Sequence, residues 1–117
     1  MFLHAAKRLI DDGVRAKFLI IGDGPMRFEL EKLASDLGVV EHVQFTGWRT
    51  DLIALMRAMD IFVLCSYAEA WPIVILEALA LQRPTVSTAV GGIPEIIENG
   101  QNGIISDGLP IIIFYMF

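Results

Sequence analysis

At 117 residues the chain has room for one domain around one core, and a second full domain is excluded. A net charge of −5 without any run of Lys or Arg excludes a polyanion surface as the main partner, and nucleic acid with it. The hydrophobic fraction of 55% calls for elements buried on more than one side, as in a layered α/β core.

Leu3, Ala6, Leu9 and Ile10 recur at helical spacing and stop at Gly13, which suits a left-handed helix terminator. Phe18 to Ile21 is a continuous apolar run, as in a parallel strand covered on both faces, and it enters the turn Gly22-Asp23-Gly24-Pro25. Pro25 suits the first turn of a second helix, with Met26, Leu30, Leu33 and Leu37 on one face and Gly38 closing it. Val43 to Phe45 predicts a short strand, followed by the loop Thr46-Gly47-Trp48. A third helix then starts behind a Thr50 or Asp51 cap, with Leu52, Leu55, Met56 and Met59 inward. Ile61 to Cys65 is again apolar throughout and leads into a loop from Ser66 to Trp71, with a helix from Pro72 to about Leu81. Thr85 to Thr88 predicts the next strand, Gly91-Gly92 a turn, Pro94 a helix start ended by Asn99-Gly100, and Gly103 to Ile105 a last short strand.

Strands and helices that alternate with short connections imply parallel strands with helical crossovers, so the class is α/β with a doubly wound sheet and helices on both faces. In such sheets ligands bind beyond the carboxyl ends of the strands. Here those are the loops at Gly22, Gly47, Ser66 to Trp71 and Val90 to Gly92.

The single cysteine, Cys65, cannot form an internal disulfide, and its place at the end of an apolar run reads as a buried thiol; a reducing, cytoplasmic compartment fits. The start Met1-Phe2-Leu3-His4 carries no secretion signal. The longest apolar stretch, Leu109 to Phe117, is less than half of the ~20 residues that cross a bilayer, so it can touch a membrane peripherally but not span it. His4 and His42 lack metal-ligand spacing, and no GxSxG elbow, Walker loop or paired Cys motif is present.

The chemistry is concentrated in Glu69 to Ala80. From Pro72 to Leu81 every residue is apolar except Glu77, which predicts a helix buried nearly all round. A buried, unpaired carboxylate costs several kcal/mol or takes up a proton, so Glu77 needs a partner or a wet cleft. Glu69 poses the same question on the preceding loop. Between the two acids lies a helix N-terminus, whose free N–H groups make an anion site without any basic side chain. Ionised carboxylates accept hydrogen bonds only and suit paired sugar hydroxyls. A nucleoside diphosphate sugar offers both groups. The structural alternatives are a cap acid for Glu69 and an ion pair with Arg or Lys for Glu77. Gly91-Gly92-Ile93-Pro94-Glu95 repeats the glycine turn and Pro-started helix, and an ordinary strand-to-helix turn is its plainer reading.

LIIGDGP, VQFTGW, DIFVLCSYAEAWPIVILEALA and PTVSTAVGGIPEIIENGQNG follow in an order that resembles the large retaining GT-B glycosyltransferase family often called glycosyl transferases group 1, over about residues 2 to 107. The resemblance implies a Rossmann-like domain that binds a nucleotide diphosphate sugar as donor substrate, with no metal and no further cofactor. Glu69 would reach the sugar at its reaction-centre side as the catalytic candidate, and Glu77 would bind the ribose hydroxyls. Pro72, Ile73 and Val74 would meet the diphosphate, and Gly47, Trp48 and Arg49 would lie near the base. Gly91, Gly92 and Glu95 match the family's second loop. Ala70 and Gln82 stand where glycine is common, and a left-handed position is harder to hold without it.

The family also carries an N-terminal acceptor domain and an opening donor-domain segment, with a first strand and diphosphate-clamping Arg and Lys, that match nothing here. The expectation is therefore a truncated donor domain at residues 2–107 with an apolar non-family tail at 108–117, inactive by itself. In the doubly wound order the first strand is central, so its two neighbours should be left without it. Ile111 to Phe114 is expected either to supply a substitute strand or to adhere to another subunit. The alternatives are an epimerase or phosphorylase of similar architecture and a non-catalytic nucleotide-sugar or packing module.

Overall fold

The computed structural model describes residues 2–106. The tail at 108–117, with the strand expected at Ile111 to Phe114, lies outside the described residues. Helix and strand alternate from end to end: α1 (Phe2–Asp11), β1 (Phe18–Ile21), α2 (Arg27–Asp36), β2 (Val43–Gly47), α3 (Leu52–Ala58), β3 (Phe62–Leu64), α4 (Ile73–Ala80), β4 (Thr85–Thr88), α5 (Ile93–Ile96) and β5 (Ile104–Ser106). Among these residues no helix is long and apolar enough to cross a membrane.

Every strand pair is parallel, as the short helical crossovers require. The pairs form two sheets, β1-β2 and β3-β4-β5, in place of one. The division falls where the doubly wound order has its centre strand, between the two halves that grow outward from it. An apolar cleft of about 520 Å³ runs between the halves, lined by Leu19 and Ile20 of β1, Phe62 and Leu64 of β3, Leu33 of α2 and Val74 of α4. The core is divided in the same way. Leu3, Leu9, Phe18, Ala34 and Val39 pack beside the first sheet, whereas Met56, Met59, Phe62, Ile75, Ile93 and Ile97 pack beside the second. Phe2 packs against both groups, and its ring meets the edge of Phe18 at 6.0 Å between centroids.

Three helices end in the same way. Gly13 after α1, Gly38 after α2 and Gln82 after α4 all have positive φ, at 81°, 69° and 55°. At each, the residue's own N–H and the next one return to carbonyls of the last turn; after α4 these are Gln82 N to Leu79 O and Arg83 N to Ala78 O, both 2.9 Å. This left-handed closure satisfies carbonyls that the helix leaves open, and it favours glycine because a Cβ is strained there. Gln82 is the single non-glycine with positive φ among the described residues. Gln82→Gly should therefore stabilise the chain by about 0.5–1 kcal/mol, the left-handed strain removed less the added freedom of the unfolded glycine, raising Tm by a few degrees. A thermal melt showing equal or lower Tm would count against strain at this cap. Ala70, the other departure from glycine, is not among the positive-φ residues and carries no such strain.

Several local expectations are corrected. α4 is not buried all round: Ile75 and Ala78 are inward, but Ile73 is 66% and Leu76 41% exposed. An apolar helix packed on a sheet by one face still turns its other face outward when nothing covers it. α2 begins at Arg27, with Pro25 and Met26 left in the preceding turn. α5 is one turn long. Asp51 precedes α3 but does not cap it by a hydrogen bond. Its carboxylate is instead held by Arg49, at 2.8 Å from Nε and 2.6 Å from Nη2. That hydrogen bond holds the Asp51 carboxyl below the usual carboxylate range.

Candidate functional site at the carboxyl ends of the strands

The loops after β1, β2, β3 and β4 leave the carboxyl ends of parallel strands, and two pairs of them are tied together. Gly22 N donates to Gly47 O at 2.9 Å, joining the turns after β1 and β2. Gly47 sits at φ +68°, which places the exposed Trp48 and Arg49 beyond the strand end, at the rim of the apolar cleft. Arg49 is already occupied by Asp51, and Arg27, behind the first turn, by Glu31 and Asp23.

The second tie is closer. β3 and β4 pair in register from Phe62↔Thr85 to Leu64↔Ser87, so the segment after Leu64 runs beside Thr88. Ser87 Oγ donates to Leu64 O at 3.0 Å and Thr88 Oγ1 to Ser66 O at 2.7 Å. Ser66 Oγ in turn donates to Glu69 Oε1. One residue on, Ala70 O accepts from Gly92 N at 2.9 Å. A Cβ on Gly91 would stand 1.5 Å from Glu69 O, and one on Gly92 would stand 2.4 Å from the Trp71 ring. Both positions are glycine because the backbone and ring of the Glu69 loop fill the space of a side chain. Close approach of the protein itself, independent of any ligand, already requires them.

Glu69 is half-buried, makes no ion pair among the described residues and does not cap α4, whose start has no side-chain cap. The cap-acid alternative is therefore not what the molecule uses. Pro72 is the buried N-cap; Ile75 N donates back to Pro72 O at 3.1 Å, and the N–H groups of Ile73 and Val74 are left without intrahelical partners. Glu77, further along the same helix, is half-buried, and its carboxylate has neither hydrogen bond nor ion pair among the described residues. The alternative of a structural pair with Arg or Lys thus has no partner there. Partial exposure lets water reach the carboxylate and relieves the cost of full burial.

The remaining expected residues are spread around this centre. Val74 and Trp48 line the apolar cleft, which neither glutamate does. Ile73 is exposed, and Glu95 is exposed in the first turn of α5. Tyr67 and Trp48 are each 84% exposed and Trp71 51%, which gives this end an aromatic surface. Cys65 is half-buried beside the cleft, and burial pushes its thiol up. Sequence reasoning missed Ser66, Ser87 and Thr88. The available signal was the run of hydroxyl residues in β4, where Thr85, Ser87 and Thr88 accompany a single apolar Val86.

Comparison with known proteins bears on the whole arrangement. The model for glycosyl transferases group 1 matches residues 1–110. The chain belongs to the glycosyl transferases group 1 family. Relatives include N-acetyl-alpha-D-glucosaminyl L-malate synthase of Bacillus anthracis, 36% identical over 94 residues, covering 80% of this chain and 25% of that protein. A lipopolysaccharide core biosynthesis glycosyltransferase of Rhizobium meliloti is 42% identical over 88 residues, covering 75% of this chain and 26% of the relative. Among solved structures, Anabaena HepE in complex with UDP-glucose superposes with a TM-score of 0.79 at 28% identity, over 90% of this chain and 30% of HepE. WaaG, a glycosyltransferase involved in lipopolysaccharide biosynthesis, superposes with a TM-score of 0.78 at 32% identity, over 88% of this chain and 28% of WaaG. The chain thus spans about a quarter of the length of these family members, and the α/β architecture with parallel sheets is the one they share.

Proposed function

We propose that this chain carries the donor half of a glycosyltransferase site, binding a nucleotide diphosphate sugar at the carboxyl ends of β3 and β4. The observation that carries the reading is the pair of half-buried acids on either side of an α4 N-terminus without a side-chain cap, Glu69 oriented by a hydroxyl and the Glu77 carboxylate without a partner among the described residues. The first turn of α4 supplies N–H donors and the positive end of a helix to the diphosphate, through Ile73 and Val74 behind Pro72. Glu77 accepts from the ribose hydroxyls and Glu69 from the hexose near its reaction centre. Trp48, beyond Gly47, offers a flat apolar face to the base. Gly91 and Gly92 shape the loop from beneath, with Glu95 on the turn that follows.

In the whole protein a hexose would pass to an acceptor hydroxyl with retention of configuration, the leaving diphosphate being stabilised by dipoles already in place. The acceptor would be held by a domain outside these residues, so the 117 residues alone should bind donor without transferring it. The complexes of HepE with UDP and with UDP-glucose support a uridine nucleotide as the first candidate.

Circular dichroism followed by titration with UDP-, GDP- and ADP-glucose and the matching free diphosphates tests the proposal. One nucleotide series should bind. Glu77→Ala should weaken the free diphosphate and its sugar alike, by about 10- to 100-fold, the loss of hydrogen bonds to a charged acceptor. A folded chain that binds none of the six ligands would remove the donor reading and leave a packing module.

A further inference from the structure

Glu69 sits on a loop whose neighbours Tyr67, Ala68 and Ala70 are exposed, so its own surroundings do little to orient a flexible side chain. Its one hydrogen bond among the described residues comes from Ser66. Ser66 is itself fixed from the adjacent strand, because Thr88 Oγ1 reaches across to its carbonyl at 2.7 Å. On the far side of the acid, Ala70 is fixed by the N–H of Gly92. Both anchors belong to β4 or the turn behind it, and β4 is the middle strand of the three-stranded sheet, paired on both sides. The loop that bears the acid is therefore registered against the strand of the second sheet that is paired on both sides.

We propose that Ser66 is a positioning residue for Glu69 and that Thr88 acts through Ser66; the inference rests on the donor-site reading given above. Ser66 occupies Oε1 and so fixes the rotation of the carboxylate, leaving Oε2 and the remaining lone pairs for hydroxyls of the transferred sugar. A freely rotating carboxylate would have to be ordered at each binding event; one already held by a hydrogen bond has been ordered during folding. The arrangement assigns to β4, an element without any acid of its own, control over how well the sugar is distinguished from the bare diphosphate.

The test uses the full chain and the same nucleotide panel. In Ser66→Ala, affinity for the nucleotide-glucose should fall roughly five- to tenfold, the equivalent of one hydrogen bond, while the free diphosphate changes by less than about twofold. Ser66→Thr, which keeps the hydroxyl, should restore most of the sugar affinity. Thr88→Val, close in shape but without a donor, should shift the sugar affinity in the same direction by less. In a Glu69→Ala background Ser66→Ala should have no further effect, because nothing remains to be positioned. The proposal is overturned if the Ser66→Ala loss persists without Glu69, if sugar and diphosphate affinities fall together, or if Ser66→Ala binds like the parent. A parent chain that binds neither ligand removes the donor reading and this inference with it, whereas normal parent binding with an unaffected Ser66→Ala removes the inference alone.

Discussion

Gly91→Ala is expected to unfold the Glu69 loop or destabilise the whole chain by at least about 3 kcal/mol, although the position is exposed. Two costs combine. The residue holds φ +55°, where a Cβ costs about 1–2 kcal/mol. The added atom would also lie 1.5 Å from Glu69 O and 2.6 Å from Glu69 C, so backbone must move, and no flexible side-chain end can yield in its place. Movement there breaks the bond between Gly92 N and Ala70 O and displaces the acid from Ser66. Against a stability of roughly 5–15 kcal/mol for an ordinary domain, this is a large fraction. Urea unfolding with circular dichroism gives the midpoint. Gly24→Ala is the control, since Gly24 has no left-handed φ and nothing within 4 Å of its Cβ position, and it should change stability by no more than about 0.5–1 kcal/mol. Equal midpoints for the two variants would show that the close approach at Gly91 is not a constraint.

Phe18→Ala should cost about 3–5 kcal/mol, the usual range for removing a buried aromatic ring. Phe18 is 1% exposed, begins β1, and packs edge-on against Phe2. Phe2 touches both halves of the core, so losing its aromatic neighbour weakens the first sheet and the junction between the sheets together. Amide exchange locates the damage. Protection in β1 and β2 should fall before that in β4, because β4 is paired on both sides within the second sheet. A uniform loss of protection would show that the two halves unfold as one unit despite the cleft between them.

The order of elements was readable from periodicity and turn chemistry alone. The apolar run Phe18 to Ile21 and the segment Thr85 to Thr88 became strands at those bounds, and Gly13 and Gly38 close their helices in the left-handed conformation. The departure at Gln82 was equally legible, since this kind of helix closure asks for the same φ whichever residue stands there, although α3 and α5 end in extended backbone instead. From the sequence, one doubly wound sheet with two strands lacking a neighbour is expected; the structure has two sheets, β1-β2 and β3-β4-β5.

Burial of α4 was misjudged because composition reports what a helix could bury and not what surrounds it. Ile73 and Leu76 face outward, and no sequence signal marks where the neighbouring layer ends. The site divides along the same line. Glu69, Glu77 and the helix start between them were visible as two acids in an apolar setting. Ser66 and Thr88 were not.

What the sequence by itself determined is the set of features that arise within a few residues: helix faces, left-handed caps, strand runs and the spacing of two acids along one loop and helix. These depend on local φ and ψ and on which side chains recur at a fixed period. Tertiary structure alone decided that Thr88 anchors Ser66, why Gly91 and Gly92 tolerate no side chain, and which face of α4 meets water. Thr88 and Ser66 are 22 residues apart, and they meet only because β3 and β4 pair in one register. A shift of that register by a single residue would turn Thr88 to the opposite face and leave the Ser66 carbonyl without its anchor.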